Sequence, residues 1–134
     1  MVRILFVDDD TMMLELMDKV CQLLGYESLR CSSATDGLNT IVEQSPDLVV
    51  VDRQMAEMDG IQFVHEVRQN PQIASTPLIL LSADRNCGDQ AEAKRVGADG
   101  FYCKPLSFEE LEEIISVYVK APKSKSSSDT LRVP

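Results

Sequence analysis

The sequence predicts an α/β fold of five strand-helix units, with a parallel sheet covered by helices on both faces. Three observations carry this. Short apolar runs without polar alternation occur at Ile4-Leu5-Phe6-Val7, Leu48-Val49-Val50-Val51 and Leu78-Ile79-Leu80-Leu81, the pattern of strands buried on both sides. Amphipathic stretches with apolar residues three and four apart lie between them. The 134 residues, 44% of them apolar, suffice for one core and are too few for two domains.

Taken in order, the first strand ends at Asp8, and the helix after it carries Leu14, Met17, Cys21 and Leu24 on one face. Gly25 then offers the left-handed backbone that closes a helix. A weaker strand, Ser28-Leu29-Arg30-Cys31, precedes a second helical stripe of Leu38, Ile41 and Val42. The third strand ends in Asp52, and its helix shows Ile61, Val64 and Val67 behind the candidate cap Asp59. The fourth strand closes with Ser82; its helix covers Ala91 to Val96 and stops at Gly97. The fifth strand, Gly100 to Cys103, places two aromatics after a glycine. The last helix opens on the capping-box pattern Ser107-x-x-Glu110 and carries Leu111, Ile114, Ile115 and Val119 to Lys120.

The strand ends fall near residues 8, 31, 52, 82 and 104, each separated by about one strand, one helix and two loops. Right-handed crossovers then give a flavodoxin-like (βα)5 three-layer sandwich with strand order 2-1-3-4-5. Residues 1–120 make this domain. The Ser- and Lys-rich stretch 121–134 is expected to be a flexible tail or the start of a linker.

Thirteen Lys and Arg against 22 Asp and Glu leave a formal charge of −9, which argues against direct nucleic-acid binding or a grip on an anionic membrane. No apolar run reaches the roughly 18 residues of a membrane helix, and the start shows no secretory signal, so a cytoplasmic location is expected. The four cysteines form no C-x-x-C pair and are expected to be reduced.

In an open parallel sheet the ligand crevice lies beyond the carboxyl ends of the strands where the strand order reverses, here between the first and third. Asp8-Asp9-Asp10 and Asp52 end those two strands. Carboxylates brought together there repel one another unless a cation intervenes, and an all-oxygen set fits Mg²⁺ better than zinc or a soft metal. Ser82 and Lys104-Pro105 end the remaining two, adding a hydroxyl and an ammonium to the same rim. A carboxylate nucleophile, a divalent ion, a hydroxyl and a fixed cation are the parts needed for phosphoryl transfer to an aspartate. Asp52 is the best acceptor, because it stands alone at its strand end while Asp8 and Asp9 are adjacent.

These residues resemble the receiver domains of two-component response regulators, of which CheY-like proteins are single-domain examples. The resemblance runs over residues 2 to 120. It rests on Val7-Asp8-Asp9-Asp10, Val51-Asp52-Arg53-Gln54-Met55 with Met58-Asp59-Gly60, Leu81-Ser82-Ala83, and Gly97-Ala98-Asp99-Gly100 running into Lys104-Pro105. It implies that Asp52 takes its phosphoryl group from a sensor histidine kinase or a histidine phosphotransfer protein. Asp8, Asp9, Asp52 and the Gln54 backbone carbonyl would bind Mg²⁺; Ser82 and Lys104 would contact the phosphoryl oxygens. It also implies a switch in which Ser82 follows the phosphoryl group and Phe101 turns inward. That would alter the surface of helix 4, strand 5 and helix 5 for an output protein or effector domain.

A cis bond before Pro105 is expected on the same ground. Gln54 and Asp84 flank the acceptor and would tune the lifetime of the phosphoryl group. Ala56 stands where the family commonly has proline, so a looser loop is expected there. Such a domain is no enzyme in the ordinary sense, since it catalyses only its own phosphorylation and dephosphorylation. Two other classes stay open: an interaction module no longer phosphorylated, and a phosphatase with an aspartate nucleophile. The second lacks the acid two residues on, where Gln54 stands, and an FMN site would need a phosphate loop where Asp8 to Asp10 lie.

Overall fold

A computed structural model describes residues 1–83 and 90–119. In chain order the elements are β1 (Arg3–Val7), α1 (Thr11–Leu24), β2 (Glu27–Cys31), α2 (Ala34–Gln44), β3 (Leu48–Asp52), α3 (Gly60–Gln69), β4 (Leu78–Ser82), α4 (Gln90–Val96), β5 (Gly100–Cys103) and α5 (Phe108–Tyr118). All strand pairs are parallel and the sheet order is β2-β1-β3-β4-β5, as the alternation predicts.

Successive strand side chains point to opposite faces, so each apolar run is divided between two cores. Leu5, Val7, Val49, Val51, Leu78 and Leu80 pack with α2, α3 and α4 through Ile41, Phe63, Val64, Val67 and Ala93. Ile4, Phe6, Leu48, Val50, Ile79 and Leu81 pack with α1 and α5 through Met13, Met17, Cys21, Leu111 and Ile114. Each fully buried side chain of this size contributes roughly 1.5–3 kcal/mol, so both faces are needed to offset chain entropy.

The helix ends follow their local sequence. Asp10 caps α1 by accepting from the amides of Met12 and Met13, and Gly25 closes it at φ +81°. Asp59 caps α3, and Ser107 with Glu110 forms the expected reciprocal box on α5. Ser33, at the head of Ser33-Ala34-Thr35-Asp36, caps α2, which ends on Ser45 in the left-handed region without a glycine. His65 is exposed on α3, remote from the strand ends.

Cys21 and Cys31 are free thiols, but Cys103 is disulfide-bonded, which corrects the expectation that every cysteine is reduced. Cys87, Asp84 and the tail 121–134 lie outside the described residues.

Candidate functional site

Parallel register sets β1 and β3 side by side with Val7 opposite Val51, so the next residues, Asp8 and Asp52, meet at one sheet rim. Both are buried. Beneath them lies an apolar floor that includes Phe6, Met13, Met17, Val50 and Leu81. Asp9 is exposed, yet one carboxylate oxygen from each of Asp8, Asp9 and Asp52 falls within 4.8 Å of the others. This donor set, oxygen only among the described residues, fits a hard divalent cation such as Mg²⁺.

Lys104 reaches the same carboxylates from the end of β5. Its Nζ lies 2.8 Å from Asp8 Oδ2 and 3.1 Å from Asp52 Oδ2. Burial pushes the Asp8 carboxyl up from its ordinary value, against the hydrogen bond from Lys104 that favours its charged form. Burial would likewise push Lys104 down, but its contacts with Asp8 and Asp52 outweigh that and hold its pKa above the ordinary 10.5. The ammonium is therefore charged at neutral pH and shares in quenching the acidic cluster.

Backbone amides fix the remaining oxygens. Asp10 N–H donates to Asp8 Oδ1 at 2.9 Å, and Gln54 N–H donates to Asp52 Oδ1 at 3.1 Å. Gln54 thus touches Asp52 through its amide. Ser82 is buried at the end of β4, and its carbonyl accepts from Lys104 N–H at 2.9 Å, which sets Ser82 and Lys104 on adjoining strands at the rim. The Lys104–Pro105 bond is cis, as expected.

Ala56 lies in the loop after β3. Its N–H donates to Asp9 Oδ2 at 3.1 Å, a bond proline could not make, so the residue ties the loop to the acidic cluster. Glu57, which the sequence did not single out, accepts from the amides of Ala34 and Thr35 and from the Thr35 hydroxyl at 2.8 Å. The loop after β3 thereby caps the start of α2. The Thr35 hydroxyl and amide lower the Glu57 carboxyl below its ordinary value of about 4.5. Stability from this cap is full above that value and is lost as pH falls through the lowered one. The Thr35 amide signal is expected to hold steady from neutrality to about pH 4.5 and to move below it. Glu57→Gln should flatten that titration; a transition unchanged in this variant would assign it elsewhere.

Phe101 is buried in β5 beneath the guanidinium of Arg53, the residue after Asp52. The site thus unites Asp8, Asp9, Asp52, Ser82 and Lys104, with Phe101 one layer behind.

The response regulator receiver domain family matches residues 4–116. A probable transcriptional regulator, ycf27, of Pyropia yezoensis is 32% identical over 126 residues, covering 93% of the chain and 51% of the regulator. The polar-differentiation response regulator DivK of Brucella ovis is 25% identical over 116 residues, 87% of the chain and 94% of DivK. The chain spans about half the length of the ycf27 regulators it matches. Among solved structures, the chemotaxis protein CheY4 of Vibrio cholerae superposes with a TM-score of 0.79 at 28% identity, covering 88% of this chain and 98% of CheY4. No helix among the described residues is long and apolar enough to cross a membrane.

Proposed function

The chain belongs to the response regulator receiver domains, and from that membership we propose that it accepts a phosphoryl group on Asp52 from a histidine kinase or a histidine phosphotransfer protein. The observation that carries the reading is the hold on Asp52: Oδ1 takes the Gln54 amide and Oδ2 takes Lys104, beside the carboxylates of Asp8 and Asp9. This arrangement orients a nucleophilic oxygen while sharing its charge, which is what in-line transfer needs from a protein.

An Asp52 oxygen forms its bond to phosphorus as the bond from phosphorus to the donor nitrogen breaks, and the donor imidazole leaves carrying the electron pair. Lys104 then passes from Asp8 and Asp52 to the phosphoryl oxygens, and Ser82 donates its hydroxyl to another. Asp8, Asp9, Asp52 and the Gln54 carbonyl would hold Mg²⁺, whose charge, when bound, offsets that of the carboxylates and phosphoryl oxygens. Water attack on phosphorus later restores the carboxylate, so the domain acts only on itself. Ser82 and Phe101 would carry the change to the α4, β5 and α5 surface, where an output protein or effector domain binds. A cytoplasmic location goes with this reading.

Incubation with acetyl phosphate and Mg²⁺ is expected to add one phosphoryl group by intact mass, mapped to Asp52, and EDTA should abolish it. A chain that stays at its unmodified mass, or gains phosphate on another residue, overturns the reading. Multiple turnover of phosphate esters would favour the phosphatase class instead.

A further inference from the structure

We infer that Arg53 is a positioning residue that fastens helix α4 to the acceptor strand and makes α4 respond to the state of Asp52; the second part rests on the phosphoacceptor reading. The backbone of Arg53 is held on both sides, its N–H donating to Leu81 O and its carbonyl accepting from Gly60 N, each at 2.7 Å. The side chain therefore leaves a fixed point directly after the acceptor. Its guanidinium carbon lies 6.0 Å from the centroid of the Phe101 ring, at the edge of cation–π range. Its terminal nitrogen lies 3.6 Å from Glu92 Oε2 on α4.

A second tie joins the same two elements. The Gln90 side-chain amide accepts from Phe101 N–H at 3.1 Å and donates to Phe101 O at 2.7 Å, pairing with the outer edge of β5 as another strand would. Helix α4 spans seven residues and buries Ala93. The ties through Gln90 and Glu92 thus add to the packing of Ala93 and Val96 against the core in holding α4 on the sheet. Phe101 stands between them, with its ring under Arg53 and its backbone in the grip of Gln90.

The Arg53 tie is the one open to change. Arg53 Nε is buried without a hydrogen-bond partner, so this guanidinium is held by a ring face and one long ion pair. Glu92 also pairs with Arg95 at 3.2 Å, which lowers its need for Arg53. A phosphoryl group on Asp52 would carry roughly −1.5 to −2 of charge one residue before Arg53, and the part that Lys104 and Mg²⁺ leave unbalanced would compete with Glu92 for the same cation. Weakening the Arg53–Glu92 pair frees α4 while the Gln90 tie keeps it on β5, so the helix pivots on its first residue.

The test follows backbone amide signals and their exchange in wild type, Arg53→Ala, Glu92→Ala and the double variant. At rest, each single change is expected to speed α4 exchange by roughly two- to fivefold, with the double variant falling short of the product of the two, and to leave β1 and β3 as they were. With Mg²⁺ and beryllofluoride, wild type should shift at Ser82, Lys104 and α4. Arg53→Ala should keep the first two shifts and lose most of the third, and Arg53→Lys should regain part of it. Additive effects at rest, or an α4 shift as large in Arg53→Ala as in wild type, overturns the inference. Ser82 and Lys104 signals that stay still in wild type would instead sink the phosphoacceptor reading and the coupling with it, and the resting comparison would still decide the fastening.

Discussion

Lys104→Ala is expected to cost the protein roughly 2–4 kcal/mol in EDTA at neutral pH, because it leaves Asp8 and Asp52 facing each other in a buried site without their cation. Breaking a buried pair costs more than the pair itself contributes, since desolvation of the remaining charges is no longer offset. The pH dependence follows from the two linked groups. Lys104 has a raised pKa, so its contribution is full below the ordinary 10.5 and is lost as pH rises through its folded value. Asp8 also has a raised pKa, so its ionisation weighs against folding once pH rises past the ordinary 3.8. The gap between wild type and variant should therefore be small in acid, open through the carboxylate range and close again in strong alkali. Mg²⁺ quenches the same repulsion, so it should raise the melting temperature of the variant more than that of wild type. Phosphorylation by acetyl phosphate should fall by about a hundredfold or more, as expected when one fixed charge on a developing anion is removed. A variant with wild-type stability in EDTA would show that Lys104 is not what balances the acidic cluster.

Much of this site is legible in the sequence. The two-sided apolar runs demanded a covered parallel sheet, and the reversal of strand order then selected the rim where Asp8, Asp52, Ser82 and Lys104 meet. That inference needs only which residue ends each strand, which is a local property. What stayed hidden depends on directions that sequence spacing does not encode. Arg68 is such a residue: it donates to the carbonyls of Ala74, Thr76 and Gly97 and to Asp99, stapling two loops far apart in sequence. Glu57 caps α2 only because the loop after β3 swings over the start of that helix. Gln90 reads as an ordinary polar residue until β5 proves to be an edge strand with one backbone edge to satisfy. Ala56 carries a subtler lesson: a residue in place of proline brings an amide, and here that amide donates to Asp9.

Gly60→Ala should damage the acceptor although it changes no charge and no group at the rim. Its φ is not in the left-handed region, where only Gly25 and Gly97 lie among the described glycines, so backbone freedom is not the reason for glycine here. Space is. A Cβ at residue 60 would lie 2.5 Å from Asp52 O and 2.8 Å from Arg53 Cα, and these are backbone atoms that cannot swing aside. Alanine would gain about 1 kcal/mol in helix propensity at the start of α3. Against that stand an overpacking cost of roughly 1–3 kcal/mol and strain on the 2.7 Å bond from Gly60 N–H to Arg53 O, so the clash wins. Relief requires α3 to back away or the end of β3 to move, and the second shifts the Asp52 carboxylate off Gln54 and Lys104. A displacement of about 1 Å at a reacting group can cost a hundredfold in rate. The expected result is lower thermal stability together with slowed phosphorylation by acetyl phosphate, read by intact mass at early times. If Gly60→Ala melted at the wild-type temperature but phosphorylated slowly, β3 would be the element that yields. If it lost stability but kept its rate, α3 would be, and the acceptor would be held more firmly by Lys104 and Gln54 than by the helix packed behind it.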